Sequence, residues 1–120
     1  MRATIITPPR THTVATRRGE LVRSRTEARI ADFLHAKGIR YQYEPTICGF
    51  VPDFYVPEWN LIIEYWGLKT PEYLERRRVK TGAFLRSNFR MISLEPEDWS
   101  ELEAILSRKL YFFDQSIYQR

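Results

Sequence analysis

The stretch Gly49-Phe50-Val51-Pro52-Asp53-Phe54-Tyr55-Val56-Pro57-Glu58-Trp59-Asn60-Leu61-Ile62-Ile63-Glu64-Tyr65-Trp66-Gly67 decides the fold. Two runs rich in β-branched and aromatic residues, Gly49–Val56 and Leu61–Trp66, flank Pro57-Glu58-Trp59-Asn60, which suits a four-residue hairpin loop. That loop sets Val56 against Leu61. Counting back along both strands places Asp53 opposite Glu64, with Cβ atoms roughly 4.5–5.5 Å apart on one face. Two carboxylates so placed repel unless a cation lies between them. The neighbours Val51, Phe54, Val56, Leu61, Ile62 and Ile63 are apolar, so the acids emerge from a buried sheet. Hard carboxylate oxygens converging at one place suit Mg2+ or Mn2+. Two plainer outcomes stay open: one acid faces solvent at a strand end, or an arginine neutralises both. A slip of one residue in register would separate the pair.

Outward from the hairpin, the elements follow from local signals. Ser24-Arg25-Thr26-Glu27 has the form of a capping box, and Ile30, Phe33 and Leu34 continue at helical spacing until Gly38. Ile39, Tyr41 and Tyr43 alternate with polar residues, which predicts a strand to Glu44 before Pro45. Beyond Gly67, Pro71 to about Asn88 reads as a helix with Pro at its start. Phe89–Leu94 reads as a strand and Pro96 to about Leu110 as a last helix. The order α-β-β-β-α-β-α predicts an α/β domain over residues 24–120, with a mixed four-stranded sheet flanked by helices. Residues 1–23 read as a basic N-terminal arm, in which Ala3 to Thr7 has the composition of a short strand. The apolar tail Tyr111-Phe112-Phe113 is expected to pack on the core or on a second subunit.

At 120 residues, 43% hydrophobic and 14% aromatic, the chain is one domain with enough apolar material for a core. Wholesale disorder and fibrous architectures are excluded on composition. The single cysteine, Cys48, allows no internal disulfide, and no Cys/His spacing suggests zinc. No apolar run reaches the roughly 18 residues of a membrane span, and no secretory signal is visible, so a cytoplasmic location and no membrane partner are expected. The net charge is +4, from 19 Lys+Arg against 15 Asp+Glu, but its distribution says more than its size. Arginines cluster at Arg2, Arg10, Arg17, Arg18, Arg23, Arg25 and Arg29 and again at Arg76-Arg77-Arg78, near Lys80. Separate basic blocks on a folded domain suit a polyanion, most simply nucleic acid; a solvated surface is the alternative.

Pro52-Asp53 followed by Glu64-Tyr65-Trp66, with Glu27 on the preceding helix and Tyr73 and Lys80 on the following one, resembles the PD-(D/E)XK nuclease superfamily. The resemblance spans about residues 24–95 and is closest to its small restriction-endonuclease-like members, found alone or appended to helicases. It implies a metal-dependent endonuclease that hydrolyses DNA phosphodiester bonds to a 5′-phosphate and a 3′-hydroxyl. It implies Mg2+, or Mn2+, as cofactor. Asp53 and Glu64 would bind the metal, and Glu27 would reach it directly or through water unless it serves only its capping box.

One departure stands out. The superfamily's lysine position, two residues after the strand acid, holds Trp66. Some members supply the lysine from the next helix, a role that Lys80 would fill; Lys69 is the rival, and Lys80 otherwise is a solvated charge. Tyr73 shares a helical face with Lys80, and Glu44 is a further accessory candidate. Arg76, Arg77, Arg78, Arg86, Arg23 and Arg25 are candidates for phosphate contacts, which give affinity but no sequence readout. Structure-selective cutting is therefore expected over recognition of a long sequence, and two-strand chemistry would suit a homodimer. If no lysine reaches the site, the alternative is an inactive nucleic-acid-binding or assembly module on the same fold. A small protein-interaction domain using the apolar tail is a third reading.

Overall fold

The computed structural model describes residues 11–120, so the expected strand Ala3–Thr7 and the arginines Arg2 and Arg10 lie outside the described residues. The hairpin has the register that its loop dictates. In the pairing of β4 (Phe54–Val56) with β5 (Leu61–Tyr65), Val56 stands opposite Leu61, Tyr55 opposite Ile62 and Phe54 opposite Ile63. The loop is a single 3-10 turn, Pro57–Trp59, closed by Asn60 in the left-handed region at φ 50°. β3 (Gln42–Tyr43) joins β4 antiparallel, and β6 (Arg90–Leu94) joins β5 parallel, giving a mixed four-stranded sheet of order β3-β4-β5-β6. A parallel pair needs a crossover, and α2 (Pro71–Arg86) supplies it.

Side chains alternate across this sheet. Phe54, Val56, Leu61, Ile63, Ile92 and Leu94 form the core with α1 (Arg25–Ala36) and α3 (Leu102–Tyr111). Ile62, Glu64 and Trp66 point the other way, towards α2, where the Arg77 guanidinium lies 4.8 Å from the Trp66 ring centre. β5 is buried on both faces, which explains its nearly unbroken apolar sequence. α1 and α2 start as expected: the Ser24 hydroxyl accepts the Glu27 amide, and the Thr70 hydroxyl accepts the Tyr73 amide.

The elements differ from expectation where the backbone turns. The strand expected over 39–44 is only Gln42–Tyr43, because Glu44 takes φ 50° and ends it. The strand expected over 49–56 starts at Phe54. Upstream of it, Ile47 and Phe50 exchange backbone hydrogen bonds around Cys48 and Gly49, both at positive φ, as a two-residue hairpin turn requires. The last helix is split: Pro96–Glu101 is 3-10, capped by reciprocal bonds between Glu95 and Asp98, and only then does α3 begin.

A hairpin that the sequence reading does not contain, β1 (Val14–Ala15) with β2 (Leu21–Val22), precedes α1. It docks through the buried Val22 and through the Arg17 amide, which donates to Asp32 on α1 at 2.8 Å. The tail divides, with Phe113 stacked on Trp59 and Phe112 left in solvent. No helix among the described residues is long and apolar enough to cross a membrane.

Candidate active site

The hairpin register carries one step past β4 and brings Asp53 beside Glu64. The Glu64 carboxylate takes the amide of Asp53 itself, and the Asp53 carboxylate takes the amide of Tyr65, the residue after Glu64. The Asp53 N–H donates to Glu64 Oε1 at 2.7 Å, and the Tyr65 N–H donates to Asp53 Oδ2 at 2.7 Å. The local backbone explains the exchange. Ladder pairing in β4 begins only at Phe54, and Glu44 just after β3 turns away at φ 50°, so the Asp53 amide lies outside the ladder and meets the Glu64 carboxylate instead of a strand carbonyl. The third participant comes from α2: Lys80 Nζ lies 3.0 Å from Glu64 Oε2 and donates to the Val51 carbonyl at 2.7 Å.

This is a crowded negative site. Burial, then the charges of Glu64 and Glu27, push the Asp53 carboxyl well above the usual carboxylate range, against the Tyr65 amide and Lys80. Burial also raises Glu64, although Lys80 and the Asp53 amide pull it down. The side chain of Glu64 is 2% exposed. Asp53 Oδ1 accepts no hydrogen bond among the described residues. Excess negative charge, two converging hard-oxygen ligands and an unused oxygen fit a divalent cation such as Mg2+.

Glu27 is close enough for its charge to act on both carboxyls. Its Oε1 accepts from the Tyr43 hydroxyl at 2.6 Å and from the Arg23 amide at 3.2 Å, while its own amide is capped by Ser24. Only half of the capping box expected at the start of α1 is formed: the Ser24 hydroxyl accepts the Glu27 amide, but the Glu27 carboxylate turns to Arg23 and Tyr43 instead of the Ser24 amide, and its charge acts on Asp53 from there. No group of three or more His, Cys, Asp or Glu side chains among the described residues is disposed to hold a metal ion, so the close carboxylate pair is Asp53 with Glu64. Buried beside Glu27, the Tyr43 hydroxyl has its pKa driven upward.

Glu44 lies in a neighbouring layer. Its amide donates to the Asp53 carbonyl at 2.9 Å. Its carboxylate is held by His12 Nε2 at 2.5 Å and by Arg23 Nε at 2.6 Å. Burial works to raise Glu44, but the bonds from His12 and Arg23 outweigh it and leave the carboxyl below its ordinary value. Read from the sequence, His12 and His35 are too far apart to suggest ligation, and the partnership of His12 with Glu44 could not be seen because it spans 32 residues, from a segment with no local signal of its fold.

Of the two rival lysines, Lys80 reaches the carboxylate pair, whereas Lys69 is engaged with Glu97 at 2.5 Å. Trp66 is packed inward, its indole N–H donating to the Ser93 hydroxyl at 3.0 Å. Tyr73 packs edge-on against Trp66 at 6.3 Å, and burial together with the charges of Asp53 and Glu64 raises its hydroxyl pKa.

The arginine candidates separate into different environments. Arg76 leans over Tyr73, Arg77 pairs with Glu95 at 2.7 Å, and Arg78 pairs with Glu75 at 2.7 Å. Arg86 lines a shallow depression on the flank of α2 with Arg78 and Leu85. Arg23 is committed to Glu44, and Arg25 is exposed at the start of α1.

No protein-family model matches the chain, and no curated protein matches it in sequence. Among solved structures, the catalytic domain of the homing endonuclease I-Bth0305I is similar, with a TM-score of 0.61 and 18% sequence identity over 75% of this chain and 94% of that domain. At that identity the likeness is one of fold: a mixed sheet flanked by helices, shared with a nuclease catalytic domain.

Proposed function

We propose that this chain is a metal-dependent DNA endonuclease of the PD-(D/E)XK type. The observation that carries the reading is the exchanged Asp53–Glu64 pair with Lys80 3.0 Å from Glu64. The basic residues of α2 and the fold shared with an endonuclease catalytic domain support it.

In this reading Asp53 and Glu64 hold Mg2+, or Mn2+, which when bound lowers the pKa of a water and polarises a phosphate oxygen. The Tyr65 and Asp53 amides fix the two carboxylates, so little reorganisation accompanies binding. The Lys80 ammonium orients the attacking water or offsets the negative charge that builds on the phosphorane. The water oxygen forms the new bond to phosphorus and the bond to the 3′ oxygen breaks, leaving a 5′-phosphate and a protonated 3′-hydroxyl. In the same reading Glu27 adds negative charge to the pair, and Arg76, which forms no ion pair among the described residues, meets a backbone phosphate. Contacts of this kind to phosphates carry affinity and not sequence readout, so in this reading selectivity rests on DNA structure.

Trp66 directly after β5 favours a second reading, a DNA-binding module without catalysis. A cleavage assay separates the two. Wild type and Asp53→Ala are incubated with labelled duplex, single-stranded, nicked and branched DNA in Mg2+, Mn2+ or EDTA. Metal-dependent cutting by wild type alone is the expected result. Cutting by Asp53→Ala would overturn the nuclease assignment to this site, and binding without cutting by wild type would establish the second reading.

A further inference from the structure

Beside the carboxylate pair, between the segment before β4 and the first turns of α2, the structure holds a cavity of about 360 Å3. That falls within the size range of small-molecule sites, roughly 300–1,000 Å3. Phe50, Val51, Trp66, Tyr73 and Val79 give it an apolar and largely aromatic lining, and Arg76 and Lys80 stand at its edge. Lys80 belongs to both places: the ammonium that meets Glu64 also lies 5.6 Å from the Trp66 ring centre.

Two features distinguish this cavity from ordinary surface relief. Its aromatic rings brace one another or the core, Phe50 edge-on against the buried Phe84 at 6.1 Å and Tyr73 edge-on against Trp66 of the same lining at 6.3 Å, so they are held as fixed faces. Its rim leaves apolar surface uncovered, with Val51 and Val79 exposed at 45% and 43%. The charge beside it is positive. Arg76 leans over Tyr73 and forms no ion pair among the described residues, while Glu75, the acid on the lining, is already paired with Arg78. A flat apolar body carrying an adjacent anion satisfies both features, and an unstacked nucleotide has that form.

We propose that this cavity receives an unpaired nucleobase of the substrate strand, stacked against Phe50 and Tyr73, with a flanking phosphate on Arg76. The proposal rests on the nuclease reading for its substrate and sharpens it: the preferred strand is single-stranded, at a flap, gap or branch. In intact duplex both faces of a base are covered by its neighbours, and exposing one costs a few kcal/mol of unstacking. A base that is already unpaired enters without that cost, so the pocket discriminates by DNA structure and not by sequence.

The test is a binding measurement in EDTA, where no hydrolysis competes. Fluorescence anisotropy follows labelled oligodeoxythymidylate, oligouridylate and blunt duplex of equal length. The proteins are wild type, Tyr73→Leu, Phe50→Leu and, as a charge control, Arg86→Ala. Leucine keeps the apolar volume, and urea unfolding verifies that each variant is folded. The expected result is that Tyr73→Leu and Phe50→Leu weaken single-strand binding roughly tenfold and leave duplex binding unchanged. They should also leave the salt dependence unchanged, because no phosphate contact is lost. Arg86→Ala should not alter the preference for single strands. Tighter binding of oligouridylate would support the base pocket and assign it to RNA.

A second readout does not depend on the pocket variants. In a Trp59→Phe/Trp99→Phe background, emission from Trp66 should be quenched by oligodeoxythymidylate and not by duplex. Equal losses on both nucleic acids, or no loss on single strands, would overturn the proposal, as would absence of quenching. A chain that binds unpaired bases here but cuts nothing in Mg2+ keeps the pocket and loses the nuclease reading. A chain that cuts while Tyr73→Leu binds single strands normally keeps the nuclease and loses the pocket.

Discussion

Lys80 Nζ stands 3.0 Å from Glu64 Oε2, so the cation at the carboxylate pair comes from α2 and not from the end of β5, where Trp66 directly after the strand occupies the corresponding place. The relation ties the crossover helix to the sheet at one point. Lys80 is also bonded to the Val51 carbonyl, and the same side chain forms part of the aromatic cavity wall. A helix whose outer surface is mostly polar is thereby anchored by a charge at its middle and by the buried Phe84 near its end.

Lys80→Met is expected to lower the cleavage rate roughly 100-fold or more, the usual effect of losing one preorganised electrostatic donor. DNA affinity in EDTA should change far less. Glu64 would be left without its partner, and the unfolding free energy should fall by about 1–3 kcal/mol. Lys69→Met, which removes only an exposed pair with Glu97, should leave both rate and stability near wild type. Single-turnover kinetics and urea unfolding of the two variants check this. Equal losses of rate would show that the choice between the lysines is wrong.

Asp53→Asn is expected to abolish cleavage yet stabilise the metal-free protein. The folded-state carboxyls of Asp53 and Glu64 titrate above their ordinary values, Asp53 well above. The native state therefore binds protons more tightly than the unfolded chain. The pair's contribution to stability is greatest below the ordinary carboxylate range and falls as pH rises through the elevated folded values, opposite in sign to that of the depressed Glu44. Asparagine keeps an oxygen for the Tyr65 amide without the charge, so the variant should be more stable than wild type at neutral pH and show a flatter pH profile.

The same pair predicts the effect of metal. Mg2+ at about 100 times its dissociation constant should stabilise wild type by about 2.7 kcal/mol, and EDTA should reverse it. Asp53→Asn should respond little. Thermal melts across pH, with and without Mg2+, measure both effects; an unchanged wild-type melting temperature in saturating Mg2+ would count against Asp53 and Glu64 as ligands.

Much of this was legible in the sequence, and for a local reason. The four-residue loop 57–60 fixes the β4–β5 register, and register alone brings Asp53 to Glu64. Helix starts at Ser24 and Pro71 were readable because an N-cap hydroxyl and a first-turn proline are local signals, whereas the Thr70 cap emerges only in the structure. Features decided by distant contacts were not readable. His12 meets Glu44 across 32 residues, and β1 and β2 are two residues each, too short for any periodicity. The positive φ of Glu44 and Cys48 was hidden for another reason: neither is a residue that announces a left-handed turn, and both shortened strands that alternation alone would have drawn longer. The family resemblance nominates Lys80, and helical spacing puts it on the face of Tyr73, but the choice between it and Lys69 needed the path of α2 over the sheet.

Glu27 provides the last prediction, because two roles assigned to it give different outcomes. As a hydrogen-bond acceptor it serves Arg23 and Tyr43, and as a charge it acts on Asp53. Glu27→Gln keeps an oxygen for the Tyr43 hydroxyl and removes the charge, so it should relieve Asp53 and leave the fold intact. Tyr43→Phe does the reverse: it strips a buried carboxylate of its 2.6 Å donor and should cost about 1–3 kcal/mol in urea unfolding. Ser24→Ala should cost about 1 kcal/mol through the lost helix cap. For cleavage, Glu27→Gln should retain measurable activity where Asp53→Ala has none, since Glu27 is engaged by Tyr43 and Arg23 while Asp53 keeps an oxygen unused. If Glu27→Gln proves as inactive as Asp53→Ala while folding normally, Glu27 must leave Tyr43 and join the metal-binding pair during turnover, and Tyr43→Phe should then slow cleavage less than it lowers stability.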